Sequence, residues 1–373
     1  MDDALNALRE EHRFPCDNCG SDLRFAPGTD SLVCDHCGNT EAISGSPWGR
    51  VQAVAELDFE RGLQASLADE DMEETRVVGC KNCGAEVEFD PNLHAAECPF
   101  CATPVVTDTG ANRHIKPKGL LPFELSEDQA RDAMTEWLGS LWFAPGGLQE
   151  YARKGRRMSG VYMPYWTFDA DTSSTYRGER GTEHKSTRKV RRNGKTETVT
   201  VTKVNWRPKS GRVARFFDDV LVAASEALPE KFRPALGRWD LAELEPYQPV
   251  YLAGFRSEAY SVDLKGGFAA ARAIMDRVIH RDVRVDIGGD RQRVHEINTS
   301  VRDVTFKHVL LPVWIAAYRY RGRAFRFVVN GRTGEVSGER PWSTIKIALA
   351  VIFGLILAGI AGYLIALNEG AIQ

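Results

Sequence analysis

The sequence predicts an α+β protein: two small tandem zinc ribbons of four cysteines each, an α+β body with signs of internal duplication, and one C-terminal transmembrane helix. Three observations carry this reading. All eight cysteines fall in CxxC pairs, one uncharged run of 21 residues lies near the C-terminus, and strand-like and helix-like patterns alternate between them. The chain has 373 residues, 43% of them hydrophobic and 27% charged, which is too long and too apolar for a disordered protein. The formal net charge is −3, but its distribution is uneven. Residues 1–111 hold 22 Asp and Glu against 7 Lys and Arg; residues 177–215 hold 13 Lys and Arg against 3 Glu.

The cysteines form one device used twice. Cys16, Cys19, Cys34 and Cys37 define a first ribbon over 12–40, and Cys80, Cys83, Cys98 and Cys101 a second over 78–104. The two repeat at an offset of 64, and Asn18/Asn82, Gly20/Gly84, Phe25/Phe89 and Pro27/Pro91 coincide as well. Each CxxC sets two thiolates on one tight knuckle, and facing knuckles make a tetrahedral four-thiolate site suited to Zn2+. Glycine after Cys19, Cys37 and Cys83 lets backbone N–H groups approach sulfur; Ala102 departs from that pattern. Disulfides and iron–sulfur ligation are rivals; a cytoplasmic placement is too reducing for the first, and the symmetric ribbon spacing favours zinc over the second. Every pair has a partner pair, so none is left for redox catalysis. A site closed by four protein ligands has no open position for substrate, so both Zn2+ ions are expected to be structural. His36 and His94 are expected to be exposed loop residues rather than ligands.

Residues 41–77 read as an acidic helical linker, either a solvated spacer or a partner-binding helix, with Val54, Leu57, Leu63 and Leu67 as its apolar positions. The body spans 112–340. Ser126-Glu-Asp-Gln129 is a capping box, followed by Ala130, Ala133, Met134, Trp137, Leu138 and Leu141 at helical spacing. Strand-like runs cover Val161–Phe168 and Thr198–Val204, with Asn193-Gly194 as a type I′ turn inside the basic stretch. A second helix is expected over about 263–280, then a hairpin of Val309–Tyr320 and Ala324–Val329. Met163-Pro-Tyr-Trp166 resembles Leu311-Pro-Val-Trp314, and Tyr176-Arg-Gly178 resembles Tyr320-Arg-Gly322, which hints at a second duplication.

The uncharged run, 347–367, is long enough for the roughly 30 Å hydrocarbon core at about 1.5 Å per residue. Trp342 and Tyr363 sit near its ends, Arg340 and Lys346 precede it, and Glu369 follows it. The positive-inside bias then keeps the N-terminal bulk in the cytoplasm, with no signal peptide at Met1. Along the run Ala350, Gly354, Ala358, Gly362 and Ala366 recur every four residues, a stripe that suits helix–helix self-association.

No GxxxxGK[ST], GxSxG, HExxH or GxGxxG is present, and a non-enzymatic role is expected. Both ribbons are acidic, which argues against phosphate contact and for a protein partner. The basic stretch suits anionic lipid headgroups. Together these features point to a membrane-tethered adaptor. The alternative is a nucleic-acid-associated factor resting on zinc ribbons plus the basic stretch.

The chain resembles a bacterial family of TFIIB-type zinc-ribbon-containing membrane proteins, the YdjG-like proteins. The tandem ribbons carry the resemblance, with Ile115–Ser126 (IKPKGLLPFELS), Gly160–Gly181, His308–Gly338 and the hydrophobic tail. Some relatives are labelled primosomal protein N′ or helicase, a label the missing P-loop does not fit. The resemblance implies residence at the bacterial inner membrane; the single span of this chain, rather than several, is a departure from the family. It also implies SPFH-domain (flotillin-like) and PspA-like partners from a membrane-stress system.

Overall fold

The computed structural model describes residues 14–43, 54–64, 66–88, 95–101, 103–106, 111–144, 158–192, 195–229, 232, 236, 239–320, 323–340 and 342–370. The first four-cysteine unit is a three-stranded antiparallel sheet of β1 (Leu23–Phe25), β2 (Ser31–Cys34) and β3 (Thr40–Ala42). Its alternating pattern buries Leu23, Phe25, Leu32 and Cys34.

The expected helical linker is corrected by the structure. Its described part contains β4 (Leu57–Asp58), a five-residue helix α1 (Phe59–Leu63) and the start of β5 (Met72–Gly79). Leu57 and Phe59 are buried, because β4 pairs with residues 305–306 of the body and Phe59 packs on Phe168 and Phe268. Adjacent burial of this kind overrides the helical spacing of the apolar residues. The second four-cysteine unit adds β6 (Glu86–Glu88), β7 (Ala95–Glu97), β8 (Pro104–Val106) and β9 (Ala111–Ile115). β5 pairs with both β6 and β9, and β7 with β8.

After β10 (Gly119–Leu120) comes α2 (Glu127–Ser140). Its N-terminus is the capping box read from the sequence: Gln129 N donates to Ser126 Oγ at 3.3 Å, and Ser126 N to Gln129 Oε1 at 2.8 Å. Ala130, Met134 and Leu138 form its buried edge. Then the chain builds three very long strands. β11 (Ser159–Arg192) has 34 residues and β12 (Lys195–Ala223) has 29. They pair from Tyr165↔Ala223 to Arg192↔Lys195; Asn193 and Gly194, the expected turn, lie outside the described residues. β13 (Glu245–Pro246) and β14 (Arg256–Ser257) lead to α3 (Leu264–Ile287). β15 (Arg291–Tyr320) pairs with β11 from Ser159↔Ile315 to Gly181↔Arg291, and β16 (Arg323–Asn330) and β17 (Val336–Gly338) complete the sheet.

α3 runs about two turns past the expected end near 280. Val283 and Ile287 prolong its buried row, and Gly288, at φ 64°, stops it.

Side-chain alternation divides the contacts between the two faces of the sheet. Tyr162, Trp166 and Phe168 of β11, with Phe306, Leu310 and Trp314 of β15, face α2, α3 and the first four-cysteine unit. Val161, Met163 and Tyr165, with Val309, Leu311 and Val313, face the second unit. The distal sheet is thinner. From Asp171 onward only the α3 face of β11 is covered, and beyond Gly181 β11 pairs with β12 alone. The basic stretch is therefore a projecting ribbon, with β11 about 110 Å long at about 3.3 Å per residue.

The final helix, α4 (Thr344–Gly370), contains a segment, Thr344–Leu364, with mean hydropathy 2.5 and none of it buried. It is long and apolar enough to cross a membrane. Lys346 Nζ donates to Ala144 O at 2.8 Å and Trp142 O at 3.2 Å, and Ser343 N donates to Phe143 O at 2.8 Å. These bonds join the start of α4 to the end of α2.

Candidate metal centres

Each CxxC forms the same knuckle. Cys16 N donates to Ser21 O, Cys34 N to Asn39 O, Cys80 N to Ala85 O and Cys98 N to Thr103 O, all at 2.8–2.9 Å. Gly20, Gly38 and Gly84 return the chain with φ of 71°, 73° and 75°. That left-handed turn is why glycine follows the second cysteine of these knuckles. Ala102 lies outside the described residues.

The knuckles bring the cysteines together in two groups: Cys16, Cys19, Cys34 and Cys37; and Cys80, Cys83, Cys98 and Cys101. All four sulfurs in each group lie within 4.8 Å of one another. The closest contacts are 3.6 Å for Cys16–Cys37, 3.5 Å for Cys19–Cys34, 3.6 Å for Cys80–Cys101 and 3.7 Å for Cys83–Cys98. Disulfides require about 2.05 Å. Tetrahedral thiolates at about 2.3 Å from one ion sit about 3.8 Å apart, so the donor sets fit a tetrahedral ion. Hydrogen bonds from Ser21 bring Cys19 down to about 6, and Asn39 Nδ2 reaches Cys16 Sγ at 3.5 Å. Both favour thiolate, the ligating form, at those two sulfurs, whereas, against the Cys37 N–H, burial and the neighbouring thiols push Cys34 of the same group up to about 11. His36 is exposed and outside the group; His94 lies outside the described residues.

The two centres differ in setting. Cys19 and Cys37 are exposed, whereas Cys80, Cys98 and Cys101 are buried with Cys83 half-buried. Neither unit stands apart from the body. Phe25 packs on Tyr251 at 5.2 Å between ring centroids, in the core that holds α2 and Trp314. Cys80, Cys98 and Phe100 share a core with Met163 and Leu311.

Two buried polar clusters had no signal in the sequence. Lys307 Nζ lies 2.8 Å from Asp219, 3.2 Å from Glu56 and 3.5 Å from Asp169, which ties β4 to the sheet. Burial, opposed by the Asp219 N–H, pushes Asp169 up to about 6. Nearby, His114, His308, Tyr260 and Glu258 line a cavity of about 20 Å3, room for about one water. His308 Nδ1 is 2.7 Å from Ile115 O, so it carries the proton, and burial holds the ring down at about 4. Burial pushes Glu258 up to about 8, with Ser225 Oγ donating to it at 2.6 Å. These residues are distant in sequence, and only the fold brings them together.

The described chain is thus a mixed α+β protein with two four-cysteine clusters and one C-terminal helix apolar enough to cross a membrane. It is similar to the uncharacterized protein YdjG of Bacillus subtilis (strain 168). The two are 26% identical over 336 residues, which cover 90% of this chain and 92% of that protein. This likeness supports a YdjG-like family. No family model matches the chain, and no solved structure matches it.

Proposed function

We propose that the protein is a non-enzymatic, single-pass adaptor of the bacterial inner membrane, with its body in the cytoplasm. In this reading each four-cysteine group holds one structural Zn2+. The ion makes a small unit rigid without opening a coordination position to substrate. The ribbons are the docking elements, and α4 ties them to the bilayer. The supporting observation is mechanical: both four-cysteine units share a core with the sheet, and the turn that follows α2, at residues 142–144 with Ala144 in one of those cores, is hydrogen-bonded to the start of α4. A partner held by a ribbon is then coupled to the anchor through packed structure rather than a loose linker.

The ribbon chemistry favours a protein partner. Residues 14–43 carry five acids against Arg24, and a zinc with four thiolates adds two negative charges. Phosphate contact requires the opposite sign. The family resemblance names SPFH-domain and PspA-like proteins as the partners. Affinity capture of the tagged full chain from detergent-solubilised membranes, read by mass spectrometry, tests this. Specific recovery of such a protein supports the adaptor reading; recovery of nucleic acid with its binding proteins supports the alternative factor instead.

A further inference from the structure

The exposed face of α3 has an unbalanced charge that the sequence total conceals. Its three acids beyond Met275 are all engaged. Asp276 pairs with Arg272 at 3.2 Å, Asp282 with Arg215 at 2.6 Å, and Asp286 accepts from the Tyr176 hydroxyl. Arg277, His280, Arg281 and Arg284 are exposed and have no ion pair or side-chain hydrogen bond among the described residues. Together with Val285 and Gln292 they line an open concavity of about 550 Å3, and Val285 is 75% exposed at its rim.

The ribbon continues this surface. Strand alternation puts Arg180, Arg207 and Lys209 on the same side as Tyr176 and Gly211, which touch α3. None of the three has an ion-pair partner among the described residues. The opposite side of the ribbon is neutralised in part. There Arg177 pairs with Glu296, Arg293 with Glu179 and Arg291 with Glu183, and Arg293 stacks 3.9 Å over Trp206. Lys185 and Arg212 also lie on that opposite side without an ion pair among the described residues, so the α3 side is distinguished by the density of its free cations, clustered at Arg277, His280, Arg281 and Arg284, rather than by holding all of them.

The start of the membrane helix is held beside the same side. α2, whose C-terminal end holds Lys346 and Ser343, packs on the same sheet face as α3. Trp142 is 82% exposed at this junction, and Arg340 stacks 4.3 Å over Trp342, 56% exposed. Aromatic and basic residues at a helix entry mark the headgroup level. A face rich in arginine with an exposed valine, on the same side as that entry, has the chemistry of a headgroup contact.

We propose that α3 and the adjoining side of the ribbon rest on the anionic headgroups of the bilayer that α4 crosses. The long sheet then lies along the membrane; the first four-cysteine unit, packed on the same sheet face as α2, lies on the membrane side, and the second, on the opposite face, turns to the cytoplasm, open to a soluble partner. The inference rests on α4 as the anchor and deepens that reading by naming the second contact. Tethering by α4 gives the contact a high effective concentration. The attraction acts within a Debye length, about 10 Å at 0.1 M salt, so lipid charge and ionic strength control it.

Neutron reflectometry on the full chain reconstituted in supported bilayers tests the proposal. On bilayers containing phosphatidylglycerol, the protein layer should be far thinner than the about 110 Å length of β11. On pure phosphatidylcholine, at high salt, or for Arg277→Gln/Arg281→Gln/Arg284→Gln, it should thicken. An equally thick layer on both lipids, or a thin layer kept by the triple variant, overturns it. So does a triple variant that loses duplex DNA binding while its layer is unchanged, which assigns the surface to nucleic acid. Resistance to carbonate extraction, measured in parallel, reports the anchor alone. Loss of that resistance refutes the anchor, whereas insertion with a thick layer refutes only the second contact.

Discussion

Trp166 and Trp314 make one hydrogen bond twice, in exchanged places. Trp314 Nε1 donates to Leu125 O at 2.9 Å, and Leu125 precedes Ser126, the N-cap of α2. Trp166 Nε1 donates to Val262 O at 3.0 Å, and Val262 precedes Asp263, the N-cap of α3. Each tryptophan thus fixes the start of the helix that leads into the other's strand. Met163 faces Leu311 across the β11–β15 ladder, with Pro164 opposite Leu310 and Pro312 opposite Tyr162, so the two Pro-aromatic segments meet about a local two-fold axis. The repeated unit is a helix followed by two strands: α2–β11–β12 and α3–β15–β16.

Removing either indole N–H should cost similar stability. Trp166→Phe and Trp314→Phe are each expected to lose about 1–2 kcal/mol, since a half-buried carbonyl is left without its donor. The double variant should lose nearly the sum, because the bonds lie in different cores. Thermal unfolding of the full chain in detergent checks both. A negligible loss in either single variant contradicts the reciprocal role.

Gly267 should reject alanine. In an exposed helix interior that change stabilises by about 1 kcal/mol. Here a Cβ would lie 2.5 Å from Trp166 Cδ1, in a buried row of α3. Overpacking of this kind costs about 1–3 kcal/mol, so the sign reverses. Gly267→Ala should lower the melting temperature; a rise would mean that the Trp166 ring can yield.

His308 should make stability fall in acid. Its folded pKa, about 4, is below the ordinary 6.5, so the unfolded chain binds the extra proton between those values. Its contribution is complete above about pH 6.5 and is lost as pH falls toward 4, about 3 kcal/mol in all. Glu258, held up at about 8, has the opposite slope over part of that range. The measurement is therefore the difference between wild type and His308→Leu. That difference should shrink by about 3 kcal/mol from pH 7 to pH 4; a pH-independent difference contradicts a buried neutral imidazole.

Metal and body should be linked in stability. Cys16→Ser is expected to reduce bound zinc from two ions to one per chain. Structural zinc contributes on the order of 10 kcal/mol to units of this size. Taken as separate modules, the ribbons would lose one zinc without effect elsewhere. The shared core around Phe25, Tyr251 and Phe123 instead predicts changed near-ultraviolet circular dichroism from the body as well. Metal analysis and dichroism of the same sample decide it, and an unperturbed body spectrum favours separate modules.

The clearest features in the sequence were those with a local cause. The CxxC knuckles, the Ser126 capping box and the apolar run at the C-terminus each follow from residues a few positions apart. The long strands were visible only in part, as Val161–Phe168, Thr198–Val204 and Val309–Tyr320. Between Val161 and Ala170 β11 is buried on both faces, but beyond Asp171 every other residue meets water and the pattern turns polar. The end of α3 was hidden for a similar reason: His280, Arg281 and Arg284 interrupt the apolar row that Val283 and Ile287 continue. The linker misled because Leu57 and Phe59 answer to a distant strand, at residues 305–306, rather than to their own neighbours.

The most direct test of membrane tethering through this scaffold is fractionation of cells holding either the full chain or residues 1–343, with proteins quantified by mass spectrometry. With the full chain, a cytosolic partner that co-purifies with it should be found with membranes. With residues 1–343, that partner and the truncated chain should move together to the soluble fraction. A partner whose distribution ignores the loss of α4 would contradict the adaptor.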